Sequence, residues 1–309
     1  ARKVCGFGEL RQDTRLDAAA KLHAQYQTYI ASRSIASYLS HYEEALLASD
    51  PTQSCNPLTQ TCNPDTGTSN PYYRGLNLWD RTQAQGYGTQ VAEILEATTW
   101  DYDTRNPPVI PTLEQRRAAS MPNLLNTVYH LTGALYEGAD IGFAVDLDNR
   151  TTGFDLHEEY RFGVINGYQN TSLHLSGADA LATYPCEGSS TVPSSFIPAH
   201  EQPNPFPAMT STSQKVGPPI YLKVERTHML SLSSASIVGP DSVAVPLTIL
   251  NRLNDPAQKI TYNETFVIPN AALLPGSSYQ VRLSGTISLA SFPHTSAPFS
   301  RNFTLRTAN

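Results

Sequence analysis

Apolar residues recur three and four apart along the first 135 residues, and the period predicts helices. In LDAAAKLHAQYQTYI, the positions Ala18, Leu22, Tyr26 and Tyr29 fall on one face, and SIASYLSHYEEALLASD continues in the same manner. Val91, Ile94, Leu95 and Thr98 in TQVAEILEATTW have the same spacing and predict a further helix. Pro111 followed by Thr112-Leu113-Glu114-Gln115 has the form of a capping box, so a helix is expected to begin there. Leu124, Val128, Leu131 and Leu135 form the stripe of the next one. His130 lies off that stripe, on a small polar face shared with Asn126, Gly133 and Ala134. A glycine inside a helix costs about 1 kcal/mol relative to alanine, so Gly133 predicts a close approach to the backbone on the histidine's side.

The period then changes to two. Ile141, Phe143 and Val145 alternate with small or acidic neighbours, and so do Tyr160, Phe162 and Val164, which predicts two strands joined by the polar stretch DLDNRTTGFDLHEE. Residues 187–219 carry Pro193, Pro198, Pro203, Pro205, Pro207, Pro218 and Pro219 among Ser and Thr, and are expected to form an extended linker. Beyond them only strands are expected, in IYLKVER, SVAVPLTIL, TYNETFVI, SSYQVRLSGTI and FSRNFTLRT, and such a run predicts a β-sandwich. The expected class is α+β, with domains at 1–186 and 220–309 and the linker between them.

A length of 309 residues is enough for two cores. Charged residues make up only 16%, with 23 Pro and 16 Tyr, a loop- and strand-rich profile expected of secreted proteins. The 21 basic and 27 acidic residues leave a net charge of -6 with no basic run, which excludes nucleic acid and anionic membranes as principal partners. No apolar run is long enough to span a bilayer, so no transmembrane segment is expected. The start at Ala1, without Met, fits a processed, exported chain and equally a trimmed one.

Four cysteines allow three pairings, and spacing favours one of them. Cys55 and Cys62 bracket the turn-rich CNPLTQTC, whereas Cys5 and Cys186 lie near the ends of the first half. In the chain-entropy picture these closures contribute about 2.5 and about 5 kcal/mol. Without CxxC spacing, a thiolate metal site is disfavoured. Asn-x-Ser/Thr sequons occur at Asn149, Asn170, Asn263 and Asn302.

The first half resembles the CAP superfamily, the SCP domain of cysteine-rich secretory proteins, antigen 5 and pathogenesis-related proteins, in its bacterial form. LDAAAKLHAQYQ is similar to the family's first helix, LSH ending at His41 to its first site histidine, and RTQAQGYG to its Arg and Gly-Tyr stretch. VAEIL is similar to the segment of the first site glutamate, and YHLTGALYEGADIGFAV to the second histidine motif. The resemblance covers roughly residues 10–170 with gaps, and the ordered set carries it rather than any single motif. The pattern departs at Glu93-Ile94, where the family has Glu-Asn, and at Leu131, where it commonly has Arg. Residues 220–309 resemble immunoglobulin-like or fibronectin-type modules, most closely in LPGSSYQVRLSG and FTLRT.

The resemblance implies a CAP-type α-β-α sandwich followed by an all-β sandwich. It also implies a cleft where His41, His130 and Glu93 converge, with Glu114 as the second glutamate and Glu96 as its rival. Imidazole nitrogen and carboxylate oxygen both suit zinc or another divalent metal, so His41, His130 and Glu93 are the expected metal ligands. His23, inside the first helix, is expected to be structural, and His157, His174, His200, His228 and His294 are expected to face solvent. The implied function is secreted binding of an extracellular ligand, an apolar small molecule or a surface polymer, with the sandwich as spacer or adhesion unit. A metal-assisted extracellular hydrolase using the same cleft is the alternative, although GxSxG and HExxH are absent from the sequence. A third reading makes both domains structural parts of a surface assembly.

Overall fold

The computed structural model describes residues 2–31, 39–43, 70–169, 181–292 and 295–309. Among them are four helices and twelve strands in three sheets, a mixed α+β chain that is mostly sheet. The chain divides into two compact units. One comprises residues 10–124 and 138–172, and the other comprises 1–9, 125–137 and 173–309. The expected boundaries at 186 and 220 are therefore not where the chain divides, and the segment carrying His130 belongs with the C-terminal strands.

The first of these units is built on a four-stranded sheet. Its strands are β1 (Arg11–Gln12), β2 (Val91–Asp103), β3 (Asp140–Thr152) and β4 (Asp155–Gly167), in the order β1-β3-β4-β2. β3 and β4 form a long hairpin paired from Asp140↔Gly167 to Thr152↔Asp155. Gly153 turns it with a φ of 62°, a left-handed conformation that glycine adopts without Cβ strain. The stretch expected to be a loop between two short strands is thus strand almost throughout.

Helix α1 (Thr14–Ala31) crosses this sheet at Gly142, where an added Cβ would lie 2.2 Å from the backbone of Leu16. Leu16, Ala19, Ala20, Tyr87, Val91 and Ile165 form the core beneath the crossing. The buried face of α1 therefore runs through Leu16, Ala20, His23 and Gln27, while Ala18, Leu22 and Tyr29 lie beside it. Gly142 faces α1, so Phe143 points outward and is half exposed, the reverse of the expected strand face.

β2 replaces the helix expected over residues 89–100. Three apolar residues and a threonine happen to have helical spacing, but β-branched and aromatic side chains at Val91, Ile94, Thr98, Thr99, Trp100 and Tyr102 favour a pleated surface. Pairing with β4 from Val91↔Gly167 to Asp103↔Asp155 then satisfies the backbone. α2 (Leu78–Ala84) begins at Asn77 with a capping box to Asp80. α3 (Leu113–Leu124) begins as expected, since Thr112 and Gln115 exchange backbone-to-side-chain hydrogen bonds of 2.8 and 3.2 Å.

The other unit holds two four-stranded sheets and the short helix α4 (Tyr129–Ala134). β5 (Ala182–Tyr184), β7 (Ile220–Lys223), β10 (Glu264–Pro269) and β9 (Leu247–Asn251) form one sheet in that order. β6 (Ser189–Val192), β12 (Ser296–Thr307), β11 (Ser278–Leu289) and β8 (His228–Val238) form the other. Ile220, Leu222 and Val267 from the first meet Ile237, Val281, Leu283, Phe303 and Leu305 from the second in one apolar cluster.

The Pro-rich stretch is part of this unit rather than a linker. It contributes β6, a 3-10 turn at Pro198–His200 and the buried pair Phe196 and Val216, whose backbones bridge. Proline excludes helix and central strand, but irregular backbone with apolar anchors packs well enough. Cys5 and Cys186 form a disulfide here, with Cα atoms 5.4 Å apart. The expected Cys55–Cys62 pair lies outside the described residues.

Candidate functional site

A buried Arg–carboxylate–His chain organises one edge of the unit built on β1–β4. Two hydrogen bonds to backbone carbonyls bring its pieces together. The Glu43 N–H donates to the Leu76 carbonyl at 2.8 Å, and Nη1 of Arg81 donates to the His41 carbonyl at 2.9 Å. The capping box at Asn77 fixes where α2 starts and so where Arg81, on its last turn, enters the interior.

Arg81 is fully buried, and its Nη2 donates to both carboxylate oxygens of Glu93, at 2.9 and 2.8 Å. Glu93 reaches it from β2 and also receives Nδ1 of His41 at 2.9 Å. An ionised carboxylate only accepts, so Nδ1 of His41 carries the hydrogen, and in the neutral form of the ring Nε2 is the acceptor. Burial alone would push the Glu93 carboxyl up. The charges of Arg81 and His23 and the hydrogen bond from His41 outweigh it and hold the group well below the ordinary carboxylate range.

His23 lies deeper and is fully engaged. Its Nδ1 is 2.8 Å from Oε1 of Glu43 and its Nε2 is 2.9 Å from the Ser40 carbonyl. Glu43 in turn accepts from the Arg74 N–H at 2.8 Å. His23 and Glu43 thus anchor the 39–43 segment. His41 differs from His23 in exposure, with 49% of its side chain open to solvent against 1%. Leu39, Tyr42, Leu76 and Trp79, on the same two segments, are exposed large apolar side chains.

Of the residues expected in one cleft, His41 and Glu93 are in direct contact. Glu114 is exposed on the first turn of α3, and Glu96 accepts from Asn123 at 3.2 Å. His130 belongs to the other unit. Glu201, fully buried, accepts from the backbone N–H groups of Val128, Tyr129 and His130 at 2.9, 2.6 and 3.2 Å, closing the N-terminus of α4. Nδ1 of His130 stands 3.3 Å from the same carboxylate and 2.9 Å from the Thr127 hydroxyl. His157, expected in solvent, is held between Asp101 and Glu159.

Glu93, expected as a metal ligand, is engaged by Arg81 and by His41. Both oxygens of Glu93 are committed to Arg81, whose charge balances it, and Nδ1 of His41 and of His130 is already paired. Among the described residues no group of three His, Cys, Asp or Glu is placed to hold an ion.

No family model and no curated protein matches the chain. Glu43 and Glu201 were not among the expected site residues. Glu43 sits two residues after His41 in HYEE, where a charge pair reads as a solvated helix face, and Glu201 lies in the stretch read as a linker. No helix among the described residues is long and apolar enough to cross a membrane.

Proposed function

We propose that this protein is an exported, CAP-like ligand-binding protein and that His41 is the polar contact of its binding site. The β1–β4 unit corresponds to most of the CAP-like stretch and the paired sheets to the immunoglobulin-like module. The observation that carries the reading is the Arg81–Glu93–His41 chain, which ends in a half-exposed imidazole. A buried carboxylate fixing the tautomer of an exposed ring is an arrangement suited to presenting one acceptor nitrogen in a set direction. The exposed Leu39, Tyr42, Leu76 and Trp79 offer apolar surface on the adjoining segments. The best-fitting extracellular ligand is therefore an apolar small molecule with a hydroxyl head that donates to Nε2.

Titration with 1-octanol tests this, read by calorimetry and by tryptophan emission. Saturable binding is expected in the wild type and a loss of about tenfold or more in His41→Ala and Trp79→Ala, the effect of one hydrogen bond or one apolar contact. Equal binding in all three proteins, or none in the wild type, rejects the reading.

The same chain supports a second reading. A carboxylate-oriented imidazole with a free Nε2 can take a proton from water attacking an ester. Turnover of p-nitrophenyl acetate that disappears in His41→Ala would favour a hydrolase, and turnover that is unaffected by the substitution would exclude His41 as its base.

A further inference from the structure

Even-numbered residues of β3 face α1, as Gly142 does, and a strand face beneath a helix is ordinarily apolar. Past the crossing it is not, because the next positions on that face are Asp146, Asp148 and Arg150. Here helix and strand leave an open cleft of about 580 Å³, whose lining includes these three residues, Gln25, Tyr29 and Tyr72, with Leu147 as its aliphatic member. That volume suits a ligand of one or a few rings.

The charges are arranged, not merely solvated. The Asp146 carboxylate accepts from the Thr28 hydroxyl, and Nη2 of Arg150 donates to the Ala31 carbonyl at 3.4 Å. Burial pushes the Asp146 carboxyl up, the Thr28 hydrogen bond opposes that, and the charge of Asp148 adds to it. The rings of Tyr29 and Tyr72 meet edge to face with centroids 6.0 Å apart. The lining therefore combines carboxylate acceptors, guanidinium and amide donors, and two aromatic rings set at an angle. A purely apolar ligand would strand those polar groups. A simple cation would be opposed by Arg150. Vicinal hydroxyls on a ring with an apolar C–H face meet every group.

We propose that this cleft binds a saccharide. Asp146 and Asp148 accept from its hydroxyls, Arg150 and Gln25 donate to its oxygens, and Tyr29 and Tyr72 pack against its C–H face. The cleft has no described residue in common with the His41 site, and the proposal stands independently of that site's function.

Saturation-transfer NMR and calorimetry on the full chain with cellotriose, maltotriose and tri-N-acetylchitotriose test it. At least one trisaccharide is expected to bind, with affinity lowered about tenfold by Asp148→Asn and by Tyr72→Ala, the loss of one charge-assisted hydrogen bond or one ring contact. The isosteric Asp148→Asn keeps the fold, and its unchanged response to 1-octanol separates this cleft from the His41 site. Failure of all three trisaccharides to bind overturns the proposal, as does equal affinity in both variants. Binding of spermidine in their place assigns the carboxylates to a cation and overturns it too.

Discussion

Nδ1 of His41 lies 2.9 Å from Oε2 of Glu93, and the same carboxylate is held from inside by Arg81. The interior pair thereby decides which nitrogen the histidine turns to solvent. This makes Arg81 a positioning residue for His41 and a structural partner for Glu93. Arg81→Met is expected to leave Glu93 charged in the core without its guanidinium counter-ion, at a cost of about 3–5 kcal/mol in urea unfolding. Arg81→Met combined with Glu93→Leu should recover most of that loss, because the stranded charge is then gone. A double variant no more stable than Arg81→Met contradicts the pairing.

Acid should act through the same carboxylate. Glu93 titrates below its ordinary value of 4.5 in the folded protein. A depressed acid contributes stability that is full above the unfolded value and lost as pH falls through the folded one. Wild-type stability is therefore expected to drop as pH falls below about 4.5, and Glu93→Gln should show a shallower drop over that window, though from a lower plateau. Parallel curves for the two proteins would show that Glu93 is not held ionised.

At α4, the carboxylate is predicted to matter more than the histidine. Glu201→Gln replaces an acceptor that serves three backbone N–H groups with one that must point one side away, and about 1–3 kcal/mol of stability should be lost. His130→Ala should cost less and leave 1-octanol binding unchanged. Loss of that binding on removing His130 would return it to the ligand site.

Residues 187–219 are predicted to resist limited proteolysis, because Phe196, Val216 and Glu201 are buried and β6 pairs with β12. Early cleavage inside this stretch would restore the linker reading.

The strand-rich half was largely legible, because period-two runs such as SSYQVRLSGTI depend only on one buried face. β8, with its Ser-rich alternation in MLSLSSASIV, gave too weak an apolar signal. β2 failed for the opposite reason, since Val91, Ile94 and Leu95 satisfy a helical template while the pairing partner that decides the matter lies some 65 residues further on. Local capping at Thr112 was readable because its partners are three residues apart.

The site was half legible. The contact between His41 and Glu93 follows the order of motifs, but Arg81 as the buried counter-ion required the packing of α2 to be seen. The contact His130 makes was not readable, because sequence pattern marks a polar helix face without saying which carboxylate meets it. Its partner, Glu201, stands 71 residues away.

The most direct test is a nitrogen-15 spectrum of the histidine rings at about pH 7.5, recorded before and after adding 1-octanol, with His41 assigned by its absence in His41→Ala. The account predicts a hydrogen on Nδ1 of His41, and an Nε2 resonance that moves as octanol binds while Nδ1 stays in place. A hydrogen on Nε2 instead, or octanol binding that leaves the Nε2 resonance unmoved, would contradict it.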